Sequence, residues 1–308
     1  MLAAYEQTQT EQRHPGTQQA AGICFSPVNF ERKEKKYLIS DAQYTQLMSR
    51  IGRLLEYDAY ANSLISSLYY DTPQDLLINR SLEKPLYKEK IRLRSYGASH
   101  PGSTVYVELK KKFKGIVYKR RMPMSIEGAY AFMDGMEYEV AARRFPLEDK
   151  ALQAQAFEFK TRQIASEIAF TKQRLCNLEP AMMIVTNRLA LRGVQDKSLR
   201  ITFDIDPVWR TDQLYFEDGF DGDELLKPGQ IIMEIKCLGA YPLWLGKALG
   251  ECRIYPQSCS KYGIAYGKAH PRKAVQANCI PLAYKQVVRN QERLPISQVF
   301  SLQTARSN

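Results

Sequence analysis

The stretch Tyr87-Lys88-Glu89-Lys90-Ile91-Arg92-Leu93-Arg94-Ser95-Tyr96 places Lys88, Lys90, Arg92 and Arg94 at even positions and mostly apolar residues at odd ones. Successive side chains of an extended strand point to opposite faces, so these four cations share one face. Taken alone, such a segment reads as the solvent face of a half-buried sheet. The pattern recurs, however. Glu108 and Lys110 alternate with Val105, Val107 and Leu109; Lys119 shares a parity with Arg121, and Arg188 with Arg192. Arg32, Glu34 and Lys36 form a further set, as do Glu234 and Lys236. Like charges facing each other on neighbouring strands repel by tenths to about 1 kcal/mol per pair. An ordinary surface would intersperse acids, and burying so many cations without an anion is prohibitive. Faces that converge on a wet interior occupied by phosphate-like groups satisfy both constraints.

Charge and composition agree. The 308 residues carry 44 Lys and Arg against 33 Asp and Glu, a net charge of +11. Leu86 to Arg121 alone holds eleven Lys and Arg against two Glu, a localised feature suited to a polyanion. At 44% hydrophobic and 11% aromatic the chain can bury a sizeable core. No run of eighteen apolar residues suggests a membrane span, and the N-terminus lacks a secretory signal pattern. Six Cys without a CxxC pair, and three His, give no zinc constellation; reduced thiols in a cytoplasmic protein are the expectation. Neither GxxxxGK[ST] nor GxGxxG is present. No helix carries a basic stripe for a major groove, and Tyr37, Tyr69, Tyr70 and Tyr96 read as strand-end residues without a stacking platform, so nucleic acid is not an expected partner.

Residues 1–28 read as a flexible leader, 29–270 as one domain, and 271–308 as a tail that is partly docked or disordered. Strands are expected near 30–38, 64–71, 87–96, 104–112, 116–124, 182–192, 199–206 and 230–237. Ser40 can cap a helix through about residue 56 and Ser125 one through about 134; 147–175 is mostly helical, and a short helix covers 241–250. The expected fold class is α+β: an eight-stranded antiparallel barrel with helices packed outside.

The order and spacing of RKEKKY (32–37), SLYYDT (67–72), KIRLRSYG (90–97), VYVELK (105–110), YKRRM (118–122), TNRLAL (186–191), LRITFDID (199–206), MEIK (233–236) and SKYG (260–263) resemble the VTC domain. That is the polyphosphate polymerase branch of the CYTH-like triphosphate tunnel metalloenzymes. The resemblance implies a tunnel, open at both ends, whose ligands are ATP and inorganic polyphosphate. At matching positions it implies phosphate contacts from Lys36, Lys90, Arg92, Arg94, Lys110, Lys119, Arg121, Arg188, Arg200, Lys236, Ser260 and Lys261. Arg92, Arg94, Lys110, Arg188 and Glu234 would carry catalysis. Glu234, with Glu34 and Glu108 as further candidates, would hold a divalent metal, Mn2+ or Mg2+. Arg32 stands where the wider superfamily has Glu, which suits the polymerase branch over the hydrolytic one, and Thr186 stands where Tyr is usual. The implied reaction is ATP-to-polyphosphate phosphoryl transfer; a triphosphate or NTP hydrolase and a non-catalytic sensor remain alternatives. Ser260-Lys261, ahead of a Tyr-Gly turn, reads as phosphate binding rather than as a nucleophile with its base. Export of product would require a membrane-protein partner, and the oligomeric state is left open.

Overall fold

The computed structural model describes residues 32–271 apart from 84 and 115. The expected leader and the tail beyond 271 lie outside them.

The chain runs β1 (Arg32–Ser40), α1 (Asp41–Ile51), β2 (Leu55–Asp71), α2 (Leu76–Leu82), β3 (Tyr87–Tyr96), β4 (Thr104–Phe113) and β5 (Ile116–Ser125). Four helices follow, α3 (Ile126–Met133), α4 (Tyr138–Arg144), α5 (Lys150–Ala156) and α6 (Phe159–Leu175). Then come β6 (Glu179–Gly193), β7 (Arg200–Arg210), β8 (Asp223–Glu224), β9 (Gln230–Leu238), α7 (Leu243–Glu251) and α8 (Lys261–Ala269). All strands join one antiparallel sheet in the order β1-β9-β7-β6-β2-β3-β4-β5, with the two-residue β8 beside β7. The eight expected strands are thus present.

Strand parity sets what is packed and what is not. On the outer face, Ile91, Leu93, Val105, Val107, Leu109, Met122 and Met124 are buried under Ile126, Phe132, Ala165 and Ile168 of α3 and α6. Tyr37, Ile39, Phe203, Met233 and Ile235 form a second cluster with Leu47 of α1 and Leu245 of α7. The other parity leaves the cations on the inner face. The edge strands β1 and β5 are not hydrogen-bonded to each other. Glu34 and Lys36 of β1 nevertheless lie near enough for their charges to act on Lys110 of β4. The edge of β1 is partly covered as well: the Gln257 amide donates to the Lys36 carbonyl at 2.8 Å.

The expected opening at both ends is where the structure differs. The C-terminal end of β2 and the N-terminal ends of β6 and β9 lie at the same end of the sheet. There, inner-face Tyr69, Met182, Ile184 and Ile232 pack with Tyr262, Ala265 and Tyr266 of α8. Tyr262 stacks on Tyr69 with ring centroids 4.5 Å apart, and its hydroxyl donates to buried Asp71 at 2.9 Å. The segment read as a Tyr-Gly turn is therefore a helix that closes this end. Ser260 caps it by accepting from the Gly263 amide, and Tyr262, Ala265 and Tyr266 supply an apolar stripe at helical spacing. Gly263 permits the approach to α2, since a Cβ there would stand 3.3 Å from Leu82 Cδ2.

Helix boundaries also shift. The first helix stops at Ile51, because Leu55 onward already pairs with β6. The 147–175 stretch breaks into α5 and α6, with Asp149 capping α5 through its carboxylate. The structure adds two short helices, α2 and α4, outside the expected helical stretches.

Candidate phosphate-binding site

The inner face carries a ladder of cations whose levels are fixed by strand register. Lys90 lies opposite Lys110, which lies opposite Lys119; Arg92 lies opposite Glu108, which lies opposite Arg121. On the other wall, Lys36 pairs with Glu234 and Lys236 with Glu34, while Lys236 also faces Arg200 and Asp204 faces Arg188. The structure therefore brings every sequence-derived candidate to the inner face or, for Ser260 and Lys261, to the N-terminus of the helix at its closed end.

Carboxylates hold part of this charge. Glu108 is buried and lies 2.7 Å from Arg92 Nη2, 2.7 Å from Lys119 Nζ and 3.7 Å from Arg121 Nε. Burial alone would raise its pKa, but Arg92, Arg94 and Lys119 hold it well below the carboxylate range. Glu234 lies 3.3 Å from Lys36 and 2.5 Å from Lys236, and both lysines also reach Glu34, at 4.0 and 3.5 Å. Burial disfavours the Lys36 ammonium, yet Glu234 and Glu34 beside it raise its pKa above the ordinary value. Asp204 takes a two-pronged contact from Arg188, at 2.7 and 2.9 Å, and pairs with Lys261. Despite burial, those two cations depress its pKa. Arg200 pairs with Asp58 at 3.0 Å.

Lys90, Arg94 and Lys110 lie between these acids with no carboxylate within ion-pair distance among the described residues. Burial lowers the pKa of all three, that of Lys90 to about 8; neighbouring cations add to the shift, while Tyr69 opposes it at Lys90 and Glu34 at Lys110. Lys90 donates to Ser260 Oγ at 3.0 Å, and Nε of Arg94 is buried without a hydrogen-bond partner. A buried donor left without a partner, as Nε of Arg94 is, suits an anion that enters beside it.

Two participants went unrecognised in the sequence. Asp204 lay inside LRITFDID without standing out, because its role depends on the pairing of β7 with β6. Tyr69 read as a strand-end residue, yet it lies opposite Arg92, whose Nη1 donates to its hydroxyl at 3.0 Å. Burial raises a phenol's pKa, but Arg92, Lys90, Arg94 and Lys261 together bring that of Tyr69 down to about 7. Its parity with Ser67 on β2 was the available signal. Thr186, at the position where Tyr is usual, spends its hydroxyl on the Ile205 carbonyl at 3.5 Å.

No group of three or more His, Cys, Asp or Glu among the described residues could hold a metal by itself. Glu34 and Glu234, which share the same two lysines, offer hard oxygen donors that suit Mg2+ or Mn2+ if phosphate oxygens and water complete the shell. Glu108 is engaged by three cations and serves as their charge partner.

Solved structures to which the chain is similar include a candidate adenylate cyclase from Vibrio parahaemolyticus, 12% identical, with 76% of this chain and 97% of that one covered at a TM-score of 0.38. A Hippeastrum candidate adenylyl cyclase, described as having a dominant triphosphatase activity, is 15% identical, with coverages of 75% and 93% and a TM-score of 0.39. A Pyrococcus horikoshii protein is 13% identical, with coverages of 77% and 99% and a TM-score of 0.36. None of the curated proteins matches the chain. The family assignment rests on none of these likenesses: the sequence model of the VTC domain spans residues 31–270, from the first strand to the end of the closing helix, and the chain belongs to that family.

Proposed function

We propose that the chain is a polyphosphate polymerase that transfers the terminal phosphoryl group of ATP to a growing inorganic polyphosphate chain. The observation that carries this reading is the set of half-buried inner-face cations, Lys90, Arg94 and Lys110, flanked by Arg92, Arg188 and Lys261 and without an ion-paired carboxylate of their own among the described residues. Such a surface is built to hold several phosphates at once.

The acceptor phosphate supplies the attacking oxygen, so no side chain has to act as a nucleophile. The bond between the γ-phosphorus and the β,γ-bridging oxygen breaks as the new P–O bond forms, and ADP leaves with the bridging oxygen. Arg92 and Arg94, adjacent on one strand face, grip oxygens of the transferred group and spread its charge. Lys110 and Lys90 hold the neighbouring phosphates in line. Arg188 and Lys261 are already oriented by Asp204. Tyr69 positions the Arg92 guanidinium through its hydroxyl. Glu34 and Glu234 would hold a divalent metal, which when bound supplies further neutralisation of phosphate oxygens.

The decisive experiment incubates the purified chain with ATP and Mn2+. Long polyphosphate is the expected product. Orthophosphate alone would instead mark a hydrolase, and binding without turnover a sensor.

A further inference from the structure

Beyond Arg94, the inner face changes from charge to aromatic rings. Tyr96 continues the parity of Arg92 and Arg94 on β3, Tyr106 that of Glu108 and Lys110 on β4, and Arg121 lies opposite Glu108 on β5. The Arg121 guanidinium lies 3.5 Å from the centroid of the Tyr106 ring and 5.4 Å from that of Tyr96. Tyr96 and Tyr106 meet edge to face at 6.0 Å. Tyr106 therefore has one face covered by Arg121, whereas Tyr96 is 41% exposed. This cluster lies at the end of the sheet opposite the one that α8 covers.

We propose that Tyr96, walled by Tyr106 and Arg121, is the stacking subsite for the nucleobase of the donor nucleotide. The inference rests on the reading of the inner face as a triphosphate site and adds where the nucleoside lies. Three considerations carry it. The closed end directs the nucleoside toward the opposite mouth. The four residue steps from Arg92 to Tyr96 span about 13 Å of strand, the scale of an extended nucleotide from its terminal phosphates to its base. Exposed aromatic and guanidinium planes at the end of a basic groove are the surfaces on which bases stack, with little preference among bases. The subsite should accordingly favour nucleotides over bare triphosphate while discriminating weakly among ATP, GTP and CTP.

Calorimetric titration of the full chain with tripolyphosphate and, separately, with a non-hydrolysable ATP analogue tests this. Y96A is expected to weaken the analogue roughly tenfold or more while leaving tripolyphosphate affinity within about twofold. Y96F retains the ring and should restore analogue binding, and Y106L provides an independent perturbation of the wall. Equal losses for both ligands in Y96A, or no loss for either, would overturn the subsite while leaving the phosphate site intact. If the unsubstituted chain does not bind tripolyphosphate, the reading of the inner face fails and the subsite fails with it.

Discussion

Glu108 offers the sharpest test of how the interior is balanced. It is 1% exposed and is shared by Arg92, Lys119 and Arg121. Replacing it by Gln keeps the shape and removes the charge, leaving cations to face one another across β3, β4 and β5. Removing one partner of a buried ion pair costs about 3–5 kcal/mol. Lys119 and Arg121 have side chains 42% and 35% exposed, so solvent screens their share, and the loss is carried mainly by Arg92, 19% exposed. The lower figure, about 3 kcal/mol, is therefore expected. For a body of this size it corresponds to a fall of roughly 6–12 °C in melting temperature. Tripolyphosphate should then do for the variant what Glu108 does in the parent chain: its stabilising shift in Glu108→Gln should exceed that in the unsubstituted protein at equal fractional saturation. Differential scanning fluorimetry with and without tripolyphosphate reads both quantities. An unchanged melting temperature in Glu108→Gln, or a ligand shift no larger than in the parent, would refute the idea that internal carboxylates stand in for phosphate.

Tripolyphosphate affinity should fall as pH rises above 7. Lys90, with its pKa lowered to about 8, and Tyr69, at about 7, both lose protons there in the ligand-free chain. A bound anion raises both values, so binding takes up protons and loses up to about tenfold in affinity per pH unit per group. The phenolate absorbance of Tyr69, absent in Tyr69→Phe, should titrate at higher pH with tripolyphosphate present; an unmoved titration would remove Tyr69 from the site. Arg94→Ala and Glu234→Gln should each nearly abolish polymer formation with the circular dichroism of the fold retained, and near-normal rates in either would refute their assignment. Tyr262→Phe removes only the hydroxyl that reaches Asp71, which keeps the backbone amides of Thr72, Leu77 and Ile78. It should lower stability by about 1 kcal/mol in denaturant melts, and a loss of several would show that Asp71 depends on that single contact.

The parity of Tyr87–Tyr96 was sufficient to place Arg92 and Arg94 on a common face, because a period of two needs no knowledge of neighbours. The pairing of β7 with β6 and β9 is not encoded locally, so nothing in the sequence around it marks Asp204, and Asp58 reaches Arg200 only through the irregular part of β2. Helix α8 escaped notice for a different reason. Its two glycines and its Ser-Lys start look like a turn, and its apolar stripe makes sense only once Tyr69, Met182 and Ile232 are there to receive it. Tyr96 reads in the sequence as a strand-end residue, yet that position is what brings it beside Tyr106 and Arg121.

With α8 seated over one end, a polymerase that works through the opposite end would obey a traffic rule. Product would back out along the path that the next nucleotide must take, so long chains would compete with ATP and each addition would slow as the polymer grows. Through-passage in a single direction would require Tyr262 to lift from Tyr69 and Lys261 from Asp204. That movement would bare an acid and a base together, and the emerging chain would have to take over the charge that Asp204 had balanced.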